Sequence, residues 1–230
     1  EEEARRTAAI RQRISLANIP ELPFTAATAE EMEKVKWIDL PVDPNKSSSS
    51  EEEKAKQVSL PEEGWVPKKP ATNGRMYILY FFHPKLHVSY DKIIDEVELL
   101  QKQHGRDAVC VGVLTSFTNL TENNDSEEAK KYALTPEEAK EKCEEFIKAK
   151  TLTHSMLIDL EGSVLKAITS ENLLPAPYVA VLSSDQMARW WGWSRSPGFK
   201  GAISNVLSVD PNVLARRKVE EVYILERAKK

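Results

Sequence analysis

The sequence predicts an α/β fold, a mixed β-sheet with helices on both faces, preceded by an irregular N-terminal extension. Short apolar runs rich in β-branched and aromatic residues alternate with apolar stripes at helical spacing, in the order β-α-β-α-β-β-α. Helical crossovers join parallel strands and a tight turn joins antiparallel strands, so this order predicts a mixed sheet. With 230 residues, the chain is long enough to bury a substantial core.

The first half of the predicted sheet comes from two continuous apolar runs. Residues 76–82 (MYILYFF) and 108–114 (AVCVGVL) have the composition of strands that are covered on both faces. Between them, residues 90–103 carry apolar side chains at helical spacing, and the following His104-Gly105 pair is typical of a helix end. A long polar insert, residues 115–134, follows the second strand.

The second half begins at Thr135, where the sequence has the signature of a helix start. Pro136 comes next and Glu138 lies three residues after the threonine, which predicts a capping box. The remaining predicted elements are strands at residues 155–159, 178–182 and 187–191, and helices at residues 199–207 and 212–230.

The N-terminal part of the chain differs in composition from the rest. The serine and glutamate stretch at residues 47–53 cannot bury enough apolar surface to fold alone. We expect such a segment to be either a disordered linker or a segment that wraps around a partner protein. The chain is therefore divided into an extension at residues 1–70, a globular domain at residues 71–208 and a C-terminal helix at residues 209–230.

Composition argues against several functions. A net charge of −4 and a pI of about 5.7 supply no global positive field for nucleic acid or anionic lipid. The eight glycines form neither G-x-G-x-x-G nor a P-loop motif, so no nucleotide cofactor is expected. No apolar run approaches the roughly 20 residues that a transmembrane helix needs.

Four short segments, in order along the chain, carry a resemblance. They are Tyr80-Phe81-Phe82, the D-x-x-G turn Asp159-Leu160-Glu161-Gly162, the proline-led run Pro175-Ala176-Pro177-Tyr178-Val179-Ala180-Val181, and Trp190-Trp191-Gly192. In this order and at these spacings, residues 75–208 resemble the thioredoxin-fold superfamily, and within it the redoxin or TlpA-like domains. The resemblance implies a thioredoxin-like sheet and a cis peptide bond before Pro177.

The sequence departs from that family where the family does its chemistry. There, a C-x-x-C pair lies at the N-terminus of the helix after the first strand, where the helix dipole favours a thiolate. This chain has Leu86-His87-Val88-Ser89, so Leu86 and Ser89 stand where the two cysteines would be. A peroxiredoxin-like alignment would place the cysteine near Tyr90 or Asp91 and also finds none. We therefore expect no thiol redox activity at this position and predict that the protein is not an enzyme.

The two cysteines of the chain lie elsewhere. Cys110 stands among valines in a predicted strand, and Cys143 stands on the apolar stripe of a predicted helix. Free cysteines in such places are usually buried and unreactive. The sequence leaves open whether the two side chains approach each other.

Two histidines, one just before the degenerate position and one within it, are the candidate ligand or metal residues. His83 and His87 are four residues apart, a spacing that lets two rings bind one ion on a helix. Pro84 biases His83 toward an extended backbone, which weakens that argument. The alternative is a polar loop with hydrogen-bonded histidines, and no metal is predicted.

An aromatic cluster follows the predicted hairpin turn. Alternation along the strand is expected to place Trp191 on the face opposite Trp190 and Trp193. One face would be core and the other exposed, so Trp191 and Trp193 are candidate residues of a protein interface. Packing in the core alone is the competing interpretation.

These observations support one main functional hypothesis. The chain is predicted to be a redox-inactive, thioredoxin-like subunit of a larger protein assembly, with other protein subunits as partners and without nucleic acid. The alternatives are a module that binds a ligand, peptide or metal in the redoxin cleft, and a residual thiol oxidoreductase. The resemblance favours an extracytoplasmic or organellar location, and the first residue, Glu1, is compatible with removal of a leader.

Overall fold

The structure, a computed structural model, describes residues 19–37, 56–86, 90–116, 127–169 and 177–228. The described residues form one mixed sheet and its covering helices. The strands are β1 (Lys56–Gln57), β2 (Trp65–Val66), β3 (Met76–Phe82), β4 (Ala108–Thr115), β5 (Ser155–Asp159), β6 (Tyr178–Leu182) and β7 (Met187–Trp193). The helices are α1 (Ala29–Glu33), α2 (Asp91–His104), α3 (Glu127–Tyr132), α4 (Pro136–Lys150), α5 (Ser163–Ile168), α6 (Pro197–Val209) and α7 (Pro211–Ala228).

The sheet has the strand order β1-β7-β6-β3-β4-β5-β2. Its strands β3, β4 and β5 are parallel because helices α2 and α4 carry the chain back between them. The tight turn between β6 and β7 makes that pair antiparallel, and β6 is also antiparallel to β3. The predicted mixed sheet is confirmed.

Side chains of β3 alternate between two cores. Ile78 and Tyr80 point to a core that contains buried residues of α2, α4 and α6. Tyr77 and Leu79 point to the opposite core, which α5 and the segment around Val58 cover. Every residue of β3 is buried, as expected for a strand with helices on both faces. The predicted placement of helices on both faces is therefore confirmed.

The predicted bounds of β3, β5 and β6 agree with the structure, and the other predicted elements differ by one or two residues at an end; α6 begins two residues earlier and ends two residues later than predicted. The sequence analysis missed two helices of six residues each: α3, which lies in the predicted polar insert, and α5, which follows a turn. It also missed β1 and β2, two residues each, which pair with the outer strands β7 and β5. Residues 56–66 of the proposed extension thus supply both edges of the sheet.

Residues 19–37 also contact the globular domain. The carboxylate of Glu21 lies 2.7 Å from the guanidinium of Arg75, at the start of β3. The backbone N–H of Ala27 donates a hydrogen bond of 2.6 Å to the side chain of Asn212 in α7. This part of the extension therefore belongs to the folded unit, while the predicted wrapping of a partner by the residues around 47–53 lies outside the described residues.

Helix α7 is attached to the domain through charged groups. Arg216, only 3% exposed, contacts Glu220 at 2.5 Å and also pairs with Asp107, which lies before β4. Arg217 reaches the same aspartate at 2.9 Å, and Arg106 reaches Glu220 at 2.6 Å. Buried charges need such partners because an unpaired one is costly. Within the described residues, no helix is long and apolar enough to cross a membrane.

The capping box of α4 is a local interaction whose energy can be measured. Thr135 accepts from the N–H of Glu138 at 3.2 Å, and the carboxylate of Glu138 accepts from the N–H of Thr135 at 2.9 Å. Thr135→Ala should lower the free energy of unfolding by about 1 kcal/mol, whereas Thr135→Ser should keep most of it. Urea denaturation measures both, and equal losses in the two variants would contradict the role of the hydroxyl group.

Candidate functional site

The expected redox position lies between the end of β3 and the start of α2. β3 ends at Phe82, and α2 begins at Asp91. Leu86, which the sequence resemblance aligns with the first cysteine, is half-buried in this connection and packs against both cores. His87 and Ser89 lie outside the described residues. Sulfur is absent from the connection in any case, since the chain contains only Cys110 and Cys143.

His83, directly after β3, is a buried and neutral histidine. Its side chain is 4% exposed, and its Nδ1 accepts a hydrogen bond of 3.2 Å from the N–H of Lys85. Burial lowers the pKa of His83 to about 4, although a hydrogen bond to the backbone of Tyr132 acts in the opposite direction. The lone pair of Nδ1 is therefore already engaged by a backbone N–H. No group of three or more potential ligand side chains occurs among the described residues.

The D-x-x-G turn has a structural role. One carboxylate oxygen of Asp159 accepts from the N–H and the hydroxyl of Ser163, at 3.1 and 2.8 Å, and the other accepts from the N–H of Val164 at 2.8 Å. Gly162, with φ of +69°, supplies the left-handed residue that leads into α5. The motif therefore starts the short helix that the sequence analysis missed.

Pro177 lies at the start of β6, where its carbonyl accepts a hydrogen bond of 3.0 Å from the N–H of Ser194. The peptide bond before Pro177 involves Ala176, which lies outside the described residues, so the cis bond there stays a prediction. Among the described residues, the Val66–Pro67 bond is cis.

The tryptophans of β7 divide between the two faces of the sheet. Trp190 stacks on Phe199 of α6, with ring centroids 5.9 Å apart. Trp191 and Trp193 each lie 6.4 Å from Tyr178, so the expected separation of these two residues was wrong. Residues two apart in a strand share a face, which is the physical reason. Trp193 is 55% exposed and packs against the buried Tyr178, so its ring forms an aromatic surface beside Pro177.

A buried hydrogen-bonded network links three elements near the other end of the sheet. The hydroxyl of Tyr80 in β3 lies 2.8 Å from Nε2 of His154, and Nδ1 of His154 lies 2.7 Å from the carboxylate of Glu98 in α2. The same carboxylate accepts from the N–H of Thr153 at 3.0 Å and from its hydroxyl at 2.7 Å. All of Tyr80, His154 and Glu98 are buried.

The pKa shifts in this network assign its protons. Burial raises the pKa of Glu98, but hydrogen bonds from Thr153 and His154 outweigh burial and hold that pKa below its ordinary value. Burial lowers the pKa of His154 in spite of the nearby carboxylate, and burial raises the pKa of Tyr80. The carboxylate is therefore ionised, the imidazole is neutral with its proton on Nδ1, and the phenol donates to Nε2.

The sequence analysis did not find this network. Glu98 interrupts the apolar side of a predicted helix and His154 precedes a predicted strand, but 56 residues separate them along the chain. Only a weak signal was available. Glu98 is a charged residue directly after the buried Val97 of the helix, and the polar pair Thr153-His154 directly precedes a buried strand.

Both cysteines are buried free thiols that belong to the same core as Tyr80. Burial raises the pKa of Cys143 to about 12 and raises the pKa of Cys110 further, with nearby Glu98 adding to the effect. Neither thiol forms a thiolate at neutral pH. The expectation that they are buried and unreactive thus agrees with their surroundings.

The architecture agrees with what the sequence resemblance implies. The agreement covers the strand order, the helix after the central strand and the terminal hairpin followed by α6. The mixed sheet and its covering helices have the arrangement of a thioredoxin-like fold. The sequence has no cysteine between β3 and α2. No sequence profile of a known family and no curated protein matches the chain.

Solved structures that resemble the chain include three proteins of this fold. A thioredoxin-like protein solved in its oxidised form has 15% identity over 67% of this chain and 95% of its own, with a TM-score of 0.47. A thiol-disulfide isomerase from Corynebacterium glutamicum has 15% identity over 68% and 97%, with a TM-score of 0.46. A thiol:disulfide interchange protein from Chlorobium tepidum has 12% identity over 66% and 97%, with a TM-score of 0.46.

The neutral histidines predict a loss of stability in acid. The folded-state pKa values of His83 and His154 lie below the value of about 6.5 in an unfolded chain, so the unfolded chain binds more protons as the pH falls. Stability that is complete above pH 6.5 should therefore decrease below it, by at most about 1.4 kcal/mol per pH unit for each histidine. The lowered pKa of Glu98 acts in the same direction at more acid pH.

Urea unfolding between pH 8 and pH 4 measures this dependence. For His83→Gln, the slope between pH 6.5 and about pH 4 should be smaller than in the unmodified protein, because one of the titrating groups is gone. An unchanged slope in this variant would contradict the assignment of a neutral His83.

Proposed function

We propose that this protein is a thioredoxin-fold protein without thiol–disulfide activity that serves as a structural and interaction subunit of a larger protein assembly. The observation that carries the proposal is the absence of cysteine between β3 and α2, where the resemblance aligns Leu86 with the first cysteine. Thiol–disulfide exchange begins with attack by a thiolate, and leucine cannot provide one.

The remaining sulfur atoms do not replace the missing pair. Cys110 lies in β4 and Cys143 in α4, both buried, and the pKa of the latter is raised to about 12. A thiol with such a pKa is almost entirely protonated at neutral pH. The activities named for the similar solved structures therefore lack their reacting groups in this chain.

The surface of the domain supports a role in protein contact. Trp193 is more than half exposed and lies edge-on to Tyr178, beside Pro177. Aromatic side chains are enriched in protein interfaces, where they supply large contact areas at a low entropic cost. The composition of residues 47–53 is that of segments that become ordered when they bind a partner.

The same aromatic surface favours a second candidate function, the binding of an extended peptide without chemistry. Tyr178 and Trp193 pair at the start of β6 and the end of β7. In thioredoxin-like domains, which the sequence resembles, the cleft beside this position holds an extended substrate backbone. In this case Trp193→Ala should abolish peptide binding and leave the assembly state unchanged. The first function predicts that the assembly itself depends on this surface or on the extension.

Thiol chemistry gives the most direct test of inactivity. In the native protein, Cys110 and Cys143 should both resist Ellman's reagent, and both should react once the chain is unfolded in urea, because burial is what protects them. An insulin-reduction assay with dithiothreitol should show no rate above the background. Robust turnover, or fast labelling of a native thiol, would contradict the proposal.

The extension gives the test of assembly. Deleting residues 1–70 would remove β1, β2 and the Glu21–Arg75 contact, so a sharper variant removes residues 1–18 and replaces residues 38–55 by a glycine-serine linker of equal length. Native mass spectrometry should find the intact chain, isolated from its own cells, in a larger assembly and the variant outside it. The two forms should unfold at the same urea concentration, which controls for folding.

If the intact chain and the variant gave assemblies of the same mass, this result would contradict the role assigned to the extension. Trp193→Ala, introduced into the intact chain, then tests the aromatic surface alone.

A further inference from the structure

A cavity opens at the end of the sheet opposite to Leu86. It has a volume of about 220 Å³ and lies where β3, β4 and β5 begin. Its walls come from the residues before β3, the last turn of α2 and the first residues of β4 and β5. A cavity of about 150 Å³ is large enough to hold benzene, so this one has room for a small organic molecule.

Arg75 provides a cationic group in the cavity wall. Its side chain is only 11% exposed, and its Nε donates a hydrogen bond of 3.1 Å to the carbonyl of Arg106. The other end of the guanidinium pairs with the carboxylate of Glu21 at 2.7 Å. Glu21 is half exposed, so one partner of this ion pair is fixed and the other is in contact with water.

Gln101 of α2 provides a neutral donor in the same cavity. Its Oε1 accepts a hydrogen bond of 2.9 Å from the N–H of Cys110, which fixes the orientation of the amide group. Among the described residues, its Nε2 has no hydrogen-bond acceptor. An amide nitrogen held in this way has two N–H groups that can donate hydrogen bonds to a ligand oxygen.

The remaining walls combine apolar and neutral polar residues, namely Pro70, Ala71, Ala108, Cys110, Thr153, His154 and Ser155. Glu98 is not part of the lining, and its carboxylate is already engaged by Thr153 and His154. Apart from Glu21, the cavity thus combines a cation and an amide donor with neutral walls of mixed polarity.

We propose that this cavity binds a small organic carboxylate, whose charged end pairs with Arg75 in place of Glu21. Arginine recognises carboxylates through paired N–H groups, and Gln101 adds a further donor on the cavity wall. The carboxylate of Glu21 occupies the position of the ligand carboxylate when the cavity is empty. Because Glu21 belongs to residues 19–37, binding displaces a contact of that segment with the domain.

An NMR titration with sodium benzoate tests the proposal on the full chain. Saturable shifts are expected for the backbone amides of Cys110 and Thr153 and for the side-chain amide of Gln101, which line the cavity. Benzamide has the same ring without the charge and should produce much smaller shifts. Sodium chloride at equal ionic strength controls for general screening.

Two near-isosteric variants sharpen the test. Glu21→Gln removes the competing charge and should tighten benzoate binding about two- to fivefold, the range expected for an exposed ion pair. Gln101→Glu keeps an acceptor for the N–H of Cys110 but adds a negative charge, and it should weaken benzoate binding at least about tenfold. A backbone amide spectrum like that of the unmodified protein shows that each variant is folded.

Three results would overturn the proposal. They are the absence of saturable shifts, equal binding of benzamide and benzoate, and shifts confined to residues away from the cavity. Unchanged benzoate affinity in both variants would also contradict it. These outcomes do not depend on whether the protein is a subunit of an assembly, so the proposed function stands or falls separately.

Discussion

Tyr80 belongs to β3, a strand in which every residue is buried, and its side chain carries a hydroxyl group into the core. Because an unsatisfied buried hydroxyl costs roughly 1–3 kcal/mol, the surrounding elements must provide an acceptor. His154 provides it, and Glu98 fixes the ring and the proton of that histidine. The ring of Tyr80 lies over Gly112, its partner residue in β4, where any side chain would collide with it. The burial of the Tyr80 side chain therefore couples β3 to β4, to the start of β5 and to α2.

The features that relate this chain to thioredoxin-like domains are those that build the fold. Asp159 and Gly162 start α5, and Trp190 packs on α6. The sequence has no cysteine between β3 and α2, where the sequence resemblance would place a reactive thiol. A fold and the reaction carried out on it are specified by different residues, so the fold by itself does not establish an activity.

The two ends of the sheet differ in how they are closed. At the end of β3, His83 is buried and burial lowers its pKa to about 4, so its ring is neutral there. At the opposite end, Arg75 and Gln101 border a cavity of about 220 Å³. Residues 19–37 reach this second end through Glu21, which links the N-terminal segment to the cavity. Function at the second end would be binding without covalent chemistry.

Local patterns were sufficient for most of the fold. The bounds of β3, β5 and β6 and the capping box at Thr135 followed from runs of apolar residues and from a short motif, because neighbouring residues alone determine them. The missing sulfur was likewise evident from the sequence, since composition and position along the chain decide it. Tertiary structure alone decided the two-residue strands at the sheet edges, the contact of Glu21 with Arg75, and the network through Glu98 and His154. These features join residues that are distant along the chain, and the folded backbone brings them within hydrogen-bonding distance without leaving a periodic signal in the sequence.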